Sequence, residues 1–183
     1  SEYDWKAFEN NASGRKIYVF NKSLATYKAQ ASKMSVDEND ILPIESISLQ
    51  DAADNSALIA AANGNILDVT LKDRTLYKDG AWNTLCLPFD VTVGSDVMAG
   101  ATAMTLNGET SGFDSTTGVL TLNFDGVGEG STIAAGTPFI VKWTGSDVSS
   151  RVFSGVTVSN GNNDVSFNGG AFKGSYSYME WES

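Results

Sequence analysis

Twenty-two acidic side chains, one cysteine and no histidine set the limits of the chemistry open to this 183-residue sequence. Two carboxylates roughly 5 to 10 Å apart across a cleft would suffice for a glycosidase. With this many acids some such pair is expected by chance. None sits in a recognisable catalytic motif, and most adjoin Gly or Asn in turn-like stretches. Cys86 is the one candidate thiol nucleophile, but no histidine is present to serve as its base. Its setting in residues 82–89, with Trp82, Leu85, Leu87 and Phe89, reads as that of a small buried hydrophobe. The missing histidine also removes the commonest general base near neutral pH and the commonest metal ligand. A single cysteine allows neither an internal disulfide nor a cysteine-rich zinc site.

Hard cations remain open, because calcium takes oxygen ligands alone. Asp37-Glu38-Asn39-Asp40 and Asn160-Gly161-Asn162-Asn163-Asp164 are the two oxygen-rich loops. Neither matches the D-x-[DN]-x-[DN]-G loop, and Asn and Asp that cap turns through the backbone account for both. Gly126-Val127-Gly128-Glu129-Gly130 lacks the lysine of a phosphate loop and reads as a link between strands. The sequence therefore predicts no catalytic residues, no metal site and no cofactor. Aromatic side chains could still form a carbohydrate platform. Trp82 and Trp143 lie in apolar strand contexts and are expected in the core. Tyr176, Tyr178 and Trp181, in an alternating aromatic and polar tail, are the candidate ligand-binding aromatics. Asn11-Ala12-Ser13 and Asn21-Lys22-Ser23 match the glycosylation sequon.

The elements that would carry these residues divide the chain in two. Residues 1–43 balance six acids with six bases, so the whole formal charge of −10 falls on residues 44–183. The step predicts a boundary near Pro43. Before it, Ile17 to Phe20 reads as a short strand, and Ser23 is the expected cap of a helix running through Leu24, Tyr27, Lys28 and Ala31. Pro43 is expected to begin an extended strand. After the boundary, short β-branched and aromatic runs alternate with Gly, Asn, Asp and Ser clusters. Strands are expected over 44–49, 66–72, 84–89, 103–107, 119–125, 138–143, 152–158, 165–168 and 172–176, with one short helix within 52–62. Residues 120–124 alternate so as to give one apolar face. Turns are expected at Asp79-Gly80, Asn107-Gly108, Thr117-Gly118, Asp125-Gly126, Asn160-Gly161 and Asn168-Gly169. Pro88, unable to donate to a ladder, belongs at an edge or bulge. The pattern predicts a mostly β fold: an antiparallel β-sandwich, Greek-key or jelly-roll-like, over 44–183, with a small α/β N-terminal appendage over 1–43.

Acidity makes nucleic acid and anionic membranes poor partners. No apolar stretch approaches the roughly 20 residues of a membrane span, so direct insertion is not expected. The chain opens on Ser1-Glu2-Tyr3-Asp4 without a signal peptide, as a processed start or an excised segment would.

Residues 71–90, LKDRTLYKDGAWNTLCLPFD, resemble a recurrent block of Bacteroidetes surface proteins, in which "RTLYKDGxWNTLCLPF" follows an "LxDxxDNS" segment. Here that segment is Leu49-Gln50-Asp51-Ala52-Ala53-Asp54-Asn55-Ser56. Residues 135–143, AGTPFIVKW, and 165–170 continue the likeness, which spans about 47–178. Upstream, residues 16–20 and 23–29 resemble the closing unit of leucine-rich-repeat surface antigens, with Phe20 where that pattern has proline. The resemblance implies an exported, surface-associated, adhesin-type protein of extracellular or outer-membrane location. It brings no catalytic residues. It implies further strands after Ser183, and a repeat array before residue 1. Two functions are thus expected. One is a non-catalytic surface module for adhesion, for protein or glycan binding (a host protein or glycan as partner) or for spacing. The other is a carbohydrate-active domain, either a binding module or a carboxylate hydrolase.

Overall fold

A computed structural model describes residues 14–177. The chain starts with strand β1 (Ile17–Phe20), helix α1 (Asn21–Ala29) and strand β2 (Ile41–Ile44). β1 and β2 pair in parallel, Ile17 opposite Ile41, over a small core of Val19, Ala31 and Ile41. The helix begins two residues before the expected Ser23 cap, and its Ncap, Phe20, supplies no side-chain bond. A first-turn N–H is satisfied from elsewhere: Lys22 donates to Asn65 Oδ1 at 3.0 Å, so the capping oxygen is tertiary rather than local.

After the single residue Glu45 the chain continues as β3 (Ser46–Gln50), then α2 (Ser56–Ala62) and β4 (Ile66–Lys72). β3 and β4 are parallel, in contrast to the antiparallel pairing expected throughout. The α2 crossover carries the chain back to the same end of the sheet. α2 is shorter than the 52–62 stretch allows. Asp54 Oδ1 takes the Ser56 N–H and the Asn55 side chain is bonded to Gln50, which holds the preceding residues in a turn.

The remaining strands are short: β5 (Thr75–Leu76), β6 (Asn83–Leu85), β7 (Val91–Thr92), β8 (Thr102–Leu106), β9 (Gly112–Asp114), β10 (Val119–Thr121), β11 (Phe124–Val127), β12 (Thr132–Ile133), β13 (Phe139–Lys142), β14 (Val148–Ser149), β15 (Val152–Thr157), β16 (Val165–Phe167) and β17 (Gly170–Phe172). Two sheets exceed a pair, an antiparallel one ordered β11-β8-β13-β6 and a mixed one ordered β15-β4-β3. The fold is mostly β, with several small antiparallel sheets, none closed. One apolar cluster joins Ile47, Leu49, Leu67, Val69 and Phe153 of the mixed sheet to Leu85, Ala103, Phe139 and Val141 of the other. Phe89 and Phe153 meet at its centre with ring centroids 4.9 Å apart.

Several expectations change here. The 119–125 run breaks into β10 and β11 because Asn123 is drawn aside: its N–H bonds Ser111 Oγ and its amide bonds the Thr110 carbonyl. Leu120 and Leu122 are left 52% and 46% exposed, so the alternation builds no buried face. Asp125-Gly126 lies inside β11 rather than at a turn. The 84–89 strand, at the edge of its sheet, stops at Leu85, so Pro88 lies beyond the ladder; it is fully buried and its carbonyl accepts from the Ser159 N–H. The expected 172–176 strand ends at Phe172, as the second arm of a hairpin through Asn168-Gly169. Gly169 has φ +90° and its Cα lies against the Phe113 side chain, so a Cβ would fit neither the turn nor the contact.

Candidate functional site

A cavity of about 310 Å³ lies between the end of β3, the start of α2, the β6 strand and residues 172–177. Its floor is apolar, with Leu49, Leu71 and Leu85. Its polar wall includes Gln50, Asp51, Asn55, Arg74 and Thr84. Asp51 pairs with Arg74 (Oδ1 to Nη1, 3.1 Å), and Arg74 Nη2 donates to the Thr84 carbonyl at 3.2 Å. Asn55 binds both backbone groups of Gln50 at 2.9 Å and reaches the Tyr176 carbonyl at 3.3 Å. Asp54 also accepts from Ser177 Oγ at 2.7 Å. Hydrogen bonds to Ser56 and Ser177 hold the Asp54 carboxyl below the usual range. The "LxDxxDNS" residues thus tie the C-terminal segment to the sheet.

Cys86 is half-buried in the same wall, not enclosed in the core as expected. Burial raises its thiol to about 11, and the nearby Asp164 adds to this against a lowering contact from the Tyr176 hydroxyl. The thiol is therefore protonated at neutral pH and a poor nucleophile. Gly174 packs so closely on Cys86 Sγ that a Cβ there would collide with it. Tyr176, one of the expected ligand-binding aromatics, is half-buried and lines this cavity. Its hydroxyl donates to the Gly161 carbonyl at 3.1 Å, and its pKa is raised by burial and by Cys86. Tyr178 and Trp181 lie outside the described residues. Among the described lining residues Asp51 is the one carboxylate, and it faces Arg74 rather than a second acid.

The oxygen-rich loops are likewise engaged. Asp37 caps the turn at Asn39, Asp40 pairs with Lys16, Asn163 donates to the Ala135 carbonyl and Asp164 accepts from Gly174. No group of three or more metal-binding side chains forms among the described residues.

The aromatic expectation is corrected at Trp82. Trp143 is 4% exposed and belongs to the core, with Lys78 Nζ 5.5 Å from its ring. Trp82 is 43% exposed, because its residue continues β6 on the sheet face opposite the core. Phe139, Val141, Ala103 and Leu85 point inward, so Ile140, Lys142, Thr102, Met104 and Thr84 point outward with Trp82. Lys142 Nζ lies over the Trp82 ring, 4.6 Å from its centre. One end of this outer face is covered, where Phe172 meets Phe124 edge-on and Gly174 lies on Cys86. The Trp82 end is open. The signal that could have shown this is the alternation of Asn83-Thr84-Leu85 read backwards from the buried Leu85, which sends Trp82 outward with Thr84.

Compared with protein-family models, curated proteins and solved structures, the chain has no match in any of the three.

Proposed function

We propose that the chain is a non-catalytic, surface-exposed module of a secreted bacterial protein, serving adhesion, protein or glycan binding, or spacing. One observation carries this reading. The polar residues of the two motifs that resemble surface proteins are spent on the fold: Asp51 on Arg74, Asn55 on Gln50, Asp79 on the Ala81 N–H and Asn83 on the Tyr77 carbonyl. A motif built this way marks a folding unit, and its likeness to surface proteins concerns architecture rather than a reaction. We further infer an antiparallel β-sandwich of Greek-key or jelly-roll type with an α/β appendage. The apolar core shared by the four-stranded and three-stranded sheets supports it. The parallel β1–α1–β2 unit supports the leucine-rich-repeat likeness, since the step from Ile17 to Ile41 falls within the roughly 20–29 residues of such repeats. Extracellular or outer-membrane-associated placement follows from the same likeness.

The binding-module form of the carbohydrate-active alternative gains support from exposed Trp82 beside Lys142. An array of host proteins and glycans, probed with the full chain, tests the main reading. Retention of a defined partner is the expected result. Hydrolysis of a glycan that is lost on one Asp or Glu substitution would overturn it.

A further inference from the structure

We propose that the open edge of β10 is a self-association site, where two copies of this chain pair their hairpins antiparallel about Thr121. The proposal goes beyond the surface-module reading and does not depend on it. β10 is the outer strand of a small sheet. It pairs with β9, and β9 is bridged in turn to Asn168, whose carbonyl takes the Phe113 N–H. That bond turns the Phe113 N–H away from β10, so Phe113 and Leu120 form a non-hydrogen-bonded pair. Val119 and Thr121 therefore direct their backbone groups at β9, while those of Leu120 and, by alternation, Leu122 face outward. The outward groups have no hydrogen-bond partner among the described residues.

Three features select a second copy as the occupant. The first is register. Antiparallel pairing centred on Thr121 sets Leu120 opposite Leu122 of the second copy, and the converse, so their outward N–H and C=O groups answer each other. The second is the side chains. Leu120 and Leu122 share the hairpin face that bears Phe113, and all three are exposed. Pairing would join the two stripes into one apolar band. Residues 119–123 include no lysine, proline or bulge to blunt the edge. The third is charge. Residues 115–124 carry no ionised side chain, so two chains of net −10 meet where they repel least. Glu109 and Asp114 border the hairpin on its β9 side. Asp114 and its copy would stand three strand spacings apart, about 14 Å, beyond the screening length of about 8 Å. With Phe113, Val119, Leu120 and Leu122 as its large apolar side chains, the contact falls below the roughly 1,200 Å² of a standard interface. The dimer is accordingly weak, with a Kd on the order of 100 µM.

Sedimentation velocity of the full chain, from about 10 µM to about 1 mM, tests the assignment. A monomer–dimer equilibrium is expected, and it should tighten with added salt as screening relieves the shared negative charge. Leu120→Lys should weaken it by at least about tenfold. Leu120→Pro should do the same, by deleting an outward N–H while sparing the ladder to β9. Ile66→Lys, at an exposed apolar residue of another sheet, should leave it unchanged. Thr121→Cys should cross-link under mild oxidation, because the two Thr121 positions would form a non-hydrogen-bonded pair with Cα atoms about 4.5 Å apart, within disulfide reach. The wild-type chain, with Cys86 alone, should not cross-link. An unchanged circular dichroism spectrum would show that each variant folds; if Leu120→Pro does not, Leu120→Lys and the cross-link decide. A wild-type chain still monomeric at about 1 mM, a dimer unaffected by Leu120→Lys, one weakened as much by Ile66→Lys, or one dissociated by salt would each overturn the proposal. Any of these results would leave the surface-module reading standing, since that reading needs no second copy.

Discussion

Asn55 and Cys86 show how polar side chains are committed to the fold. Asn55 satisfies Gln50 through both its carbonyl and its amide and also holds the chain at Tyr176, so its loss leaves several backbone groups unpaired. Asn55→Ala should cost about 2 to 3 kcal/mol, measured by urea denaturation, and a cost below about 0.5 kcal/mol would refute its clamping role. Cys86 titrates near 9.0 when free and about 11 here. The folded state keeps its proton longer, so its contribution is intact below pH 9.0 and is lost as pH climbs to about 11. Tyr176 shifts in the same direction. The melting temperature should therefore fall across that alkaline window, and Cys86→Ala should remove part of the fall. An identical slope in the variant would dismiss the thiol as its source.

At the level of elements, α1 was legible as a helix but its start was not. Ser23 is a good local cap, yet the acceptor for the Lys22 N–H is Asn65, 43 residues away, which no local rule can find. Asn65 is 3% exposed and its amide donates to the Ala62 carbonyl at the end of α2, so one side chain fastens two helix termini together. Asn65→Ala should cost about 1 to 2 kcal/mol and speed hydrogen exchange at the Lys22 amide, whereas Ser23→Ala should change stability by less than about 0.5 kcal/mol. The reverse result would restore the local cap. β10 and β11 failed to appear as one strand for a similar reason, since the Asn123 bonds to Thr110 and Ser111 compete with the ladder. β3 and β4 were legible as strands, but their parallel pairing depends on the crossover, which alternation does not encode.

Over the whole molecule, the charge step near Pro43 and the change in patterning suggest two units, and two apolar clusters form among the described residues. They are not independent, because Phe20 and Ile44 pack on the main core and Asn65 reaches into α1. A chain reduced to residues 44–183 is expected to melt cooperatively at a lower temperature than the full chain, as scanning calorimetry would register. Failure of that fragment to fold would remove the division at Pro43. The candidate surface was legible only in its parts. Trp82 stood out as a residue, but the face it occupies depends on which neighbours the sheet buries. β2 and β3, separated by Glu45 alone, form a shared rail: its first part is laddered to β1 and its second to β4, both in parallel. Tension along that rail would load each ladder in shear, so its rungs share the force and fail together, whereas a hairpin such as β9–β10 pulled apart at its open end would unzip rung by rung.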